Sequence, residues 1–473
     1  MSPRKLQARL PLRLAISGTS LLTLVALSAT GNRAAASNPH TSVIGPPVTV
    51  GSSGNEPIVK AAPDGTLYIA ALEYLYVSTN GGAKWSLTPG TLYNNPPTGG
   101  GVNLNTDSSI DTDPGGRLYF TFDWPYAGTT AVCVSDNKAQ SFSCNPATIP
   151  GGTDRMWLVS PSNTGSYLVT NIGLYQTIFA KSGDRGGTWA VTQTTTAALN
   201  PDTGPLIKSP LSHLIYQPYA SNATNLTATN NLNSGPLGFH VFDPSSSTPL
   251  SNELLTPLPA PNALPSAGFT NDGTLYLASE QPRYDAQQNL LGYQLVVARS
   301  GNQGATWTVL PPLPNTGNGT QTFSAIATAA PGHVGLLFYK SATGGDPTVA
   351  TGATWDAVWA ESIDADTASP HWSMQTVDAN VHTGPICSTA GCSGDNRYSG
   401  DFISATFDAN DTPYLTWVKD LDQTGNNTRV MFATVAGASA AAPEMPAPAA
   451  AALAIVGIGA FVLHRRRYIN KRS

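Results

Sequence analysis

Between residues 48 and 435 the chain alternates aromatic or β-branched residues with small and polar ones. Arg117–Asp123 reads RLYFTFD, Thr274–Glu280 TLYLASE, Val334–Ser341 VGLLFYKS and Pro413–Asp420 PYLTWVKD. A period of two predicts strands, because successive side chains in a strand face opposite ways. Asp64-Gly65, Gly115-Gly116, Asn163-Thr164-Gly165 and Asp272-Gly273 separate such runs, and these are turn residues. Groups of three or four runs recur about every 57 residues, the spacing of a repeat architecture. Only Ala447–Leu463, a continuous apolar stretch near the C-terminus, reads as a helix.

Four segments share a more specific pattern. They begin at Ser78 (STNGGAKW, ending at Trp85), Ser182 (SGDRGGTW, ending at Trp189), Ser300 (SGNQGATW, ending at Trp307) and, degenerate, Ser135 (SDNKAQSF). The pattern S-x-D/N-x-G-x-T-W resembles the Asp box, or BNR repeat, of the sialidase-like β-propellers. That resemblance covers nearly all of 43–437 as architecture. It implies that each box is a structural turn between the third and fourth strands of a blade. Asp184 and Asn302 would then hold backbone N–H groups, and the Trp would bury between blades. The expected fold is all-β, a single propeller of seven four-stranded blades. Blade seven lacks a fourth strand of its own, and Val48–Val50, just before blade one, is expected to supply it and close the ring.

Charge separates the ends from the body. Residues 1–36 hold five basic side chains and no acid; 438–473 hold five basic side chains and Glu444; 37–437 hold 14 basic and 28 acidic residues, a net charge of -14. So acidic a body excludes phosphate-backbone binding, and no nucleic acid partner is expected. The whole chain is 41% hydrophobic, enough for a sizeable core, and only 11% charged.

The ends read as addresses. Residues 1–36 have a basic start, an apolar Leu14–Leu27 stretch and an Ala34-Ala35-Ala36 cleavage site, the layout of a secretory signal peptide. At the other end a Pro/Ala linker (438–446) precedes a transmembrane or sorting helix (447–463) and a basic cytoplasmic tail (464–473). Pro443-Glu444-Met445-Pro446 resembles the Pro-Glu-Pro sorting signals of bacterial surface proteins, with a Met inserted. Secretion machinery, a membrane and a sorting peptidase are the partners this layout implies. The propeller is expected outside, anchored at the bacterial cell surface.

The cysteines agree with export. Four allow three connectivities, and locality selects Cys133–Cys144 and Cys387–Cys392. If Ser135 and Phe142 face each other across a hairpin, Cys133 and Cys144 are directly opposed as well.

Candidate chemistry falls on the face opposite the turns, where first strands start and second strands end. First-strand starts offer Glu56, Asp154, Arg155, Lys208, Arg397, Tyr398 and Asp401; second-strand ends offer Asp123, Trp124, Glu280, Arg283, Tyr284 and Trp417. Of these, Arg155, Arg283, Tyr284, Arg397, Asp401, Asp123, Trp124 and Trp417 are the expected ligand-binding set. Sialidases hold a carboxylate with three arginines and use a tyrosine, a glutamate and an aspartate in catalysis. The resemblance offers Arg155, Arg283 and Arg397 for the clamp, and Tyr398, Glu280 and Asp154 for catalysis. The Arg-Ile-Pro motif of that family is absent, and sialidases have six blades. No cofactor or metal is expected. Asp111/Asp113 and Asp364/Asp366 are pairs that could hold Ca²⁺, but they fit solvated turns better.

Three functions remain: a surface propeller that binds an extracellular glycan, an exo-glycosidase of sialidase type with a rearranged site, and a non-catalytic structural or adhesion protein.

Overall fold

The computed structural model describes residues 41–437 apart from 53, 73, 89–106, 125–128, 151–152, 173–175, 197–200, 222–235, 247–249, 260–263, 316, 388–398, 424 and 426. For some strand residues, among them Asp123, Trp124, Asp154 and Arg155, it describes the backbone alone. The expected signal peptide, linker, helix and tail lie outside the described residues. Among the described residues, no helix is long and apolar enough to cross a membrane.

Among the described residues, twenty-nine strands form seven antiparallel sheets. The first strand, β1 (Val48–Gly51), belongs to the last blade. Blade one is β2 (Pro57–Ala61), β3 (Leu67–Ala71), β4 (Tyr74–Ser78) and β5 (Ser86–Leu87). Blade two is β6 (Ser108–Thr112), β7 (Leu118–Trp124), β8 (Thr129–Ser135) and β9 (Ser143–Pro150). Blade three is β10 (Thr153–Ser162), β11 (Gly165–Ile172), β12 (Gln176–Ser182) and β13 (Ala190–Thr196). Blade four splits its inner strand into β14 (Pro201–Thr203) and β15 (Ile207–Lys208), followed by β16 (Ile215–Ser221), β17 (Pro236–Phe242) and β18 (Leu250–Pro259). Blade five is β19 (Ser266–Phe269), β20 (Leu275–Tyr284), β21 (Leu290–Ser300) and β22 (Thr308–Val309). Blade six is β23 (Thr320–Thr328), β24 (Val334–Ser341), β25 (Thr354–Ser362) and β26 (Ser373–Thr383). Blade seven is β27 (Ser404–Phe407), β28 (Pro413–Asp420) and β29 (Thr428–Thr434), with β1 pairing β29 as its outer strand. The ring closes as expected, and seven blades are present.

Both faces of a blade are buried, which explains why its middle strands read as nearly continuous apolar runs. In β3, Leu67, Ile69 and Ala71 pack toward blade seven with Val430 and Phe432. The alternate residues Tyr68 and Ala70 pack the other way, with Ile110 and Phe120 of blade two. In β20, Leu275 and Leu277 join blade four, while Tyr276 and Ala278 join blade six.

The inner strands are sheet edges facing the axis, so some of their N–H groups lack a strand partner. Side chains of the preceding blade supply acceptors. Ser109 Oγ takes the Leu158 N–H, Ser266 Oγ that of Ile326 and Ser404 Oγ that of Val59; Asp111 takes the Ser160 N–H. These bonds satisfy groups that would otherwise be orphaned in a dry interior.

The four serine repeats fold into one turn. The serine hydroxyl donates to the Asn or Asp Oδ1 two residues on, and its oxygen accepts the N–H of Gly82, Ala139, Gly186 or Gly304. Asn80, Asn137, Asp184 and Asn302 each accept a further N–H four residues on. Trp85 meets Phe432 of blade seven edge-on, and Trp307 stacks on Phe239 of blade four. Trp189 is buried among blade-two and blade-three side chains. A fifth turn of this kind is hidden in blade six. Ser362 donates to Asp364, which accepts the His371 N–H, and Trp372 follows. Three extra residues in that turn disguise the spacing.

Cys133 and Cys144 occupy directly opposed positions of β8 and β9 and are bonded. Cys387 is also disulfide-bonded; its expected partner, Cys392, lies outside the described residues.

Candidate functional site

The two sets of turns share one face. Lys138 and Arg185, each from a serine turn, reach Asp64 and Asp113 in the first turn of the preceding blade. First-strand starts and second-strand ends therefore lie on the opposite face, as expected, and that face was the predicted ligand surface.

On it the expected residues separate into groups. Asp123 and Trp124 end β7, and Asp154 and Arg155 begin β10, but their side chains are not among those described. Arg397 and Tyr398 lie outside the described residues.

Glu280, expected to face substrate, has no exposed surface. Its Oε1 accepts the Phe323 N–H at 2.7 Å, across the joint between blades five and six. Phe323 has φ 59° and sits where the β23–β24 register shifts. The carboxylate thus holds an irregular stretch of the next blade. Glu56 does the same at the closure of the ring. Its N–H donates to Ser399 O, and its Oε1 accepts the Asp401 N–H. Gly400 between them has φ 71°, and a Cβ there would lie 2.2 Å from Glu56 Cγ, so only glycine fits. Asp401 is correspondingly buried, not presented.

Trp417, also expected at the ligand face, is fully buried. Its indole N–H donates to Asp378 of blade six, which takes Lys419 Nζ at 2.6 Å. Tyr339 bridges blades six and seven through Ser399 Oγ and Val418 O, and His382 Nδ1 lies 2.9 Å from Asp420 Oδ2. These polar strand-end residues knit two blades together. In sequence they read as a solvated ring, because polarity was visible and burial was not.

Lys208 is a correction. It belongs to the turn side, not to a first-strand start: β15 pairs with Ile215 and Tyr216 beside the turn, and Lys208 Nζ donates to Ser209 O and Ser212 O. The split inner strand of blade four, invisible in the pattern, misplaced it. The carboxylates of Asp111 and Asp113 are not solvated either. Asp111 pairs with Lys60 at 3.3 Å and Asp113 with Arg185 at 2.8 Å. Asp364 holds His371, as above. No group of three or more metal-ligating side chains occurs among the described residues.

Among the described residues of that face, the hairpin of blade five projects outward. β20 and β21 run ten and eleven residues, against five each for β3 and β4, so the hairpin projects farther. Tyr284 near its tip is 53% exposed. Arg283 beside it donates to Gly317 O and Gly319 O, which fixes the connection to blade six against the hairpin. In blade four, Tyr219 stacks on His240 at 4.2 Å, and burial pushes the His240 pKa down to about 4.

The axial channel is narrow, about 380 Å³, and all seven inner strands line it. Its charged groups, Lys60, Asp111 and Lys208, are engaged as described, and serine and threonine side chains such as Ser109, Ser266 and Ser404 share the lining with apolar ones.

No protein-family model matches the chain, and no curated protein does. Among solved structures it is similar to an ulvan lyase, a polysaccharide lyase (11% identity, TM-score 0.46, over 82% of this chain and 93% of that one). It is similar to Kuenenia stuttgartiensis hydrazine synthase (12%, 0.47, 81% and 96%) and to the phage phi92 endosialidase (12%, 0.42, 83% and 69%). The assignment of seven blades rests on the strand pairing itself.

Proposed function

We propose that this is an exported, surface-anchored propeller that binds an extracellular glycan on the face opposite the turns and does not cleave it. The burial of Glu280 carries this reading. A catalytic carboxylate has to reach a substrate proton or a nucleophile beside it. A fully buried one that accepts a backbone N–H is placed for architecture. The same hairpin offers Tyr284 outward, and an exposed aromatic face can carry the C–H side of a sugar ring. Low charge density suits a neutral ligand. Export is supported by the bonded cysteines, since disulfides persist in oxidising compartments, and by the layout of the two chain ends. The serine turns fit the Asp-box role of blade framework.

Glycan-array binding of the intact protein, with Tyr284→Ala alongside, tests the reading. It expects a defined set of retained glycans whose signal falls at least several-fold in the variant at unchanged melting temperature. An array without retained glycans removes it and leaves an adhesion or scaffold role.

A further inference from the structure

The turn face carries a cleft whose chemistry is independent of the glycan reading. The residue three after the serine of each serine turn adopts the left-handed region: Lys138 (φ 57°), Arg185 (φ 59°) and Gln303 (φ 57°). Each reaches back to the first turn of the preceding blade. Lys138 meets Asp64, Arg185 meets Asp113, and Gln303 accepts from Ser209 and Ser212. In blade one this position is Gly81 (φ 68°), which has no side chain to reach the first turn of blade seven.

The turn that Gly81 faces is built like the one that holds Arg185. Asp113 accepts the N–H groups of Gly115 and Arg117 on Oδ1 and the Tyr119 hydroxyl on Oδ2. Asp408 accepts the N–H groups of Asn410 and Thr412 on Oδ1 and the Tyr414 hydroxyl on Oδ2. The backbone bonds match as well: Asp113 N to Arg117 O and Gly116 N to Asp113 O, against Asp408 N to Thr412 O and Asp411 N to Asp408 O. On Asp113, Oδ2 takes Arg185 Nε at 3.0 Å and Nη2 at 2.8 Å. On Asp408 the same oxygen meets no cation among the described residues.

A cleft of about 890 Å³ opens there, lined by Asp408, Tyr414, Gly81, Asp64, Asp113 and Lys138 among others. The other carboxylates that line it, Asp64, Asp111 and Asp113, are paired with Lys138, Lys60 and Arg185. Asp408 is the one left over. Since the chain itself fills the twin acceptor with a guanidinium, we propose that this cleft is a guanidinium-binding site, which takes an arginine side chain or a small guanidinium compound on Asp408 and Tyr414. Charge-assisted bonds from a guanidinium fork to a carboxylate are among the stronger polar contacts.

Two measurements on the intact protein test this. Gly81→Arg supplies the missing latch, at a φ that Arg185 already tolerates. It is expected to raise the melting temperature, and Asp408→Asn in the same chain is expected to cancel the gain. No gain, or a gain that survives Asp408→Asn, overturns the proposal. Calorimetric titration with agmatine and with the peptide Gly-Arg-Gly separates the two sources. Equal binding of both assigns a small guanidinium ligand; tighter binding of the peptide assigns an arginine side chain. Either binding must weaken about tenfold or more in Asp408→Asn. Binding of neither, or binding indifferent to Asp408, contradicts the site.

Discussion

The Oε1 of Glu280 accepts the N–H of Phe323 at 2.7 Å, across the joint between blades five and six. An orphaned N–H there would be buried and dry. Glu280→Ala is therefore expected to cost about 1–3 kcal/mol, and Glu280→Gln, which keeps an acceptor, noticeably less. Urea denaturation of the three proteins checks the order. Equal stability of all three would remove the architectural role.

Arg185 and Asp113 make the strongest of the latches between turns. The Asp113 side chain has no exposed surface, so removing its cation leaves a buried charge uncompensated. Arg185→Ala is expected to destabilise by about 3 kcal/mol. Lys138→Ala, whose pair with Asp64 is about half exposed, is expected to change stability by no more than about 1 kcal/mol. Parallel denaturation midpoints decide, and equal losses would contradict the distinction.

Much of the fold was legible because propeller strands follow local rules. The period of two and the serine turns follow from residues near in sequence; the closing Val48–Gly51 strand pairs with the far end of the chain and was legible because blade seven lacked a fourth strand of its own. The opposed cysteines followed from counting along one hairpin. The candidate site was less legible. Whether Glu280, Asp401 or Trp417 faces solvent depends on the neighbouring blade, at contacts such as Glu280 with Phe323 and Trp417 with Asp378. Lys208 was misplaced because Gly204-Pro205-Leu206 interrupts its strand. The blade-six turn escaped notice because its Asp364 acceptor serves an N–H seven residues away, not four.

The Cys133–Cys144 bond closes a loop of 11 residues. Constraint of so short a loop in the unfolded chain is worth about 2–3 kcal/mol. Replacing both cysteines by serine is expected to lower stability by that amount. Reductant should lower the melting temperature of the parent by more than that of the variant; an equal response would contradict the assignment.

His240 sets a pH dependence. Burial between Tyr219 and its cross-strand partner Gln217 keeps its pKa at about 4, whereas a free imidazole titrates near 6.5. Between these values the unfolded chain binds a proton that the folded chain refuses. The stability His240 contributes is complete above about pH 6.5. It falls as the pH drops toward 4 and levels off below, about 3 kcal/mol in all. His240→Phe should flatten the decline of melting temperature between pH 7 and 4.5; an unchanged slope would place the titrating group elsewhere.

Mass spectrometry of a retained glycan, before and after prolonged incubation with the intact protein, tests binding without cleavage most directly. The expected result is a glycan recovered at its original mass from the bound fraction. Shortened products that appear with the parent protein and vanish with Glu280→Gln would contradict it and assign Glu280 to catalysis.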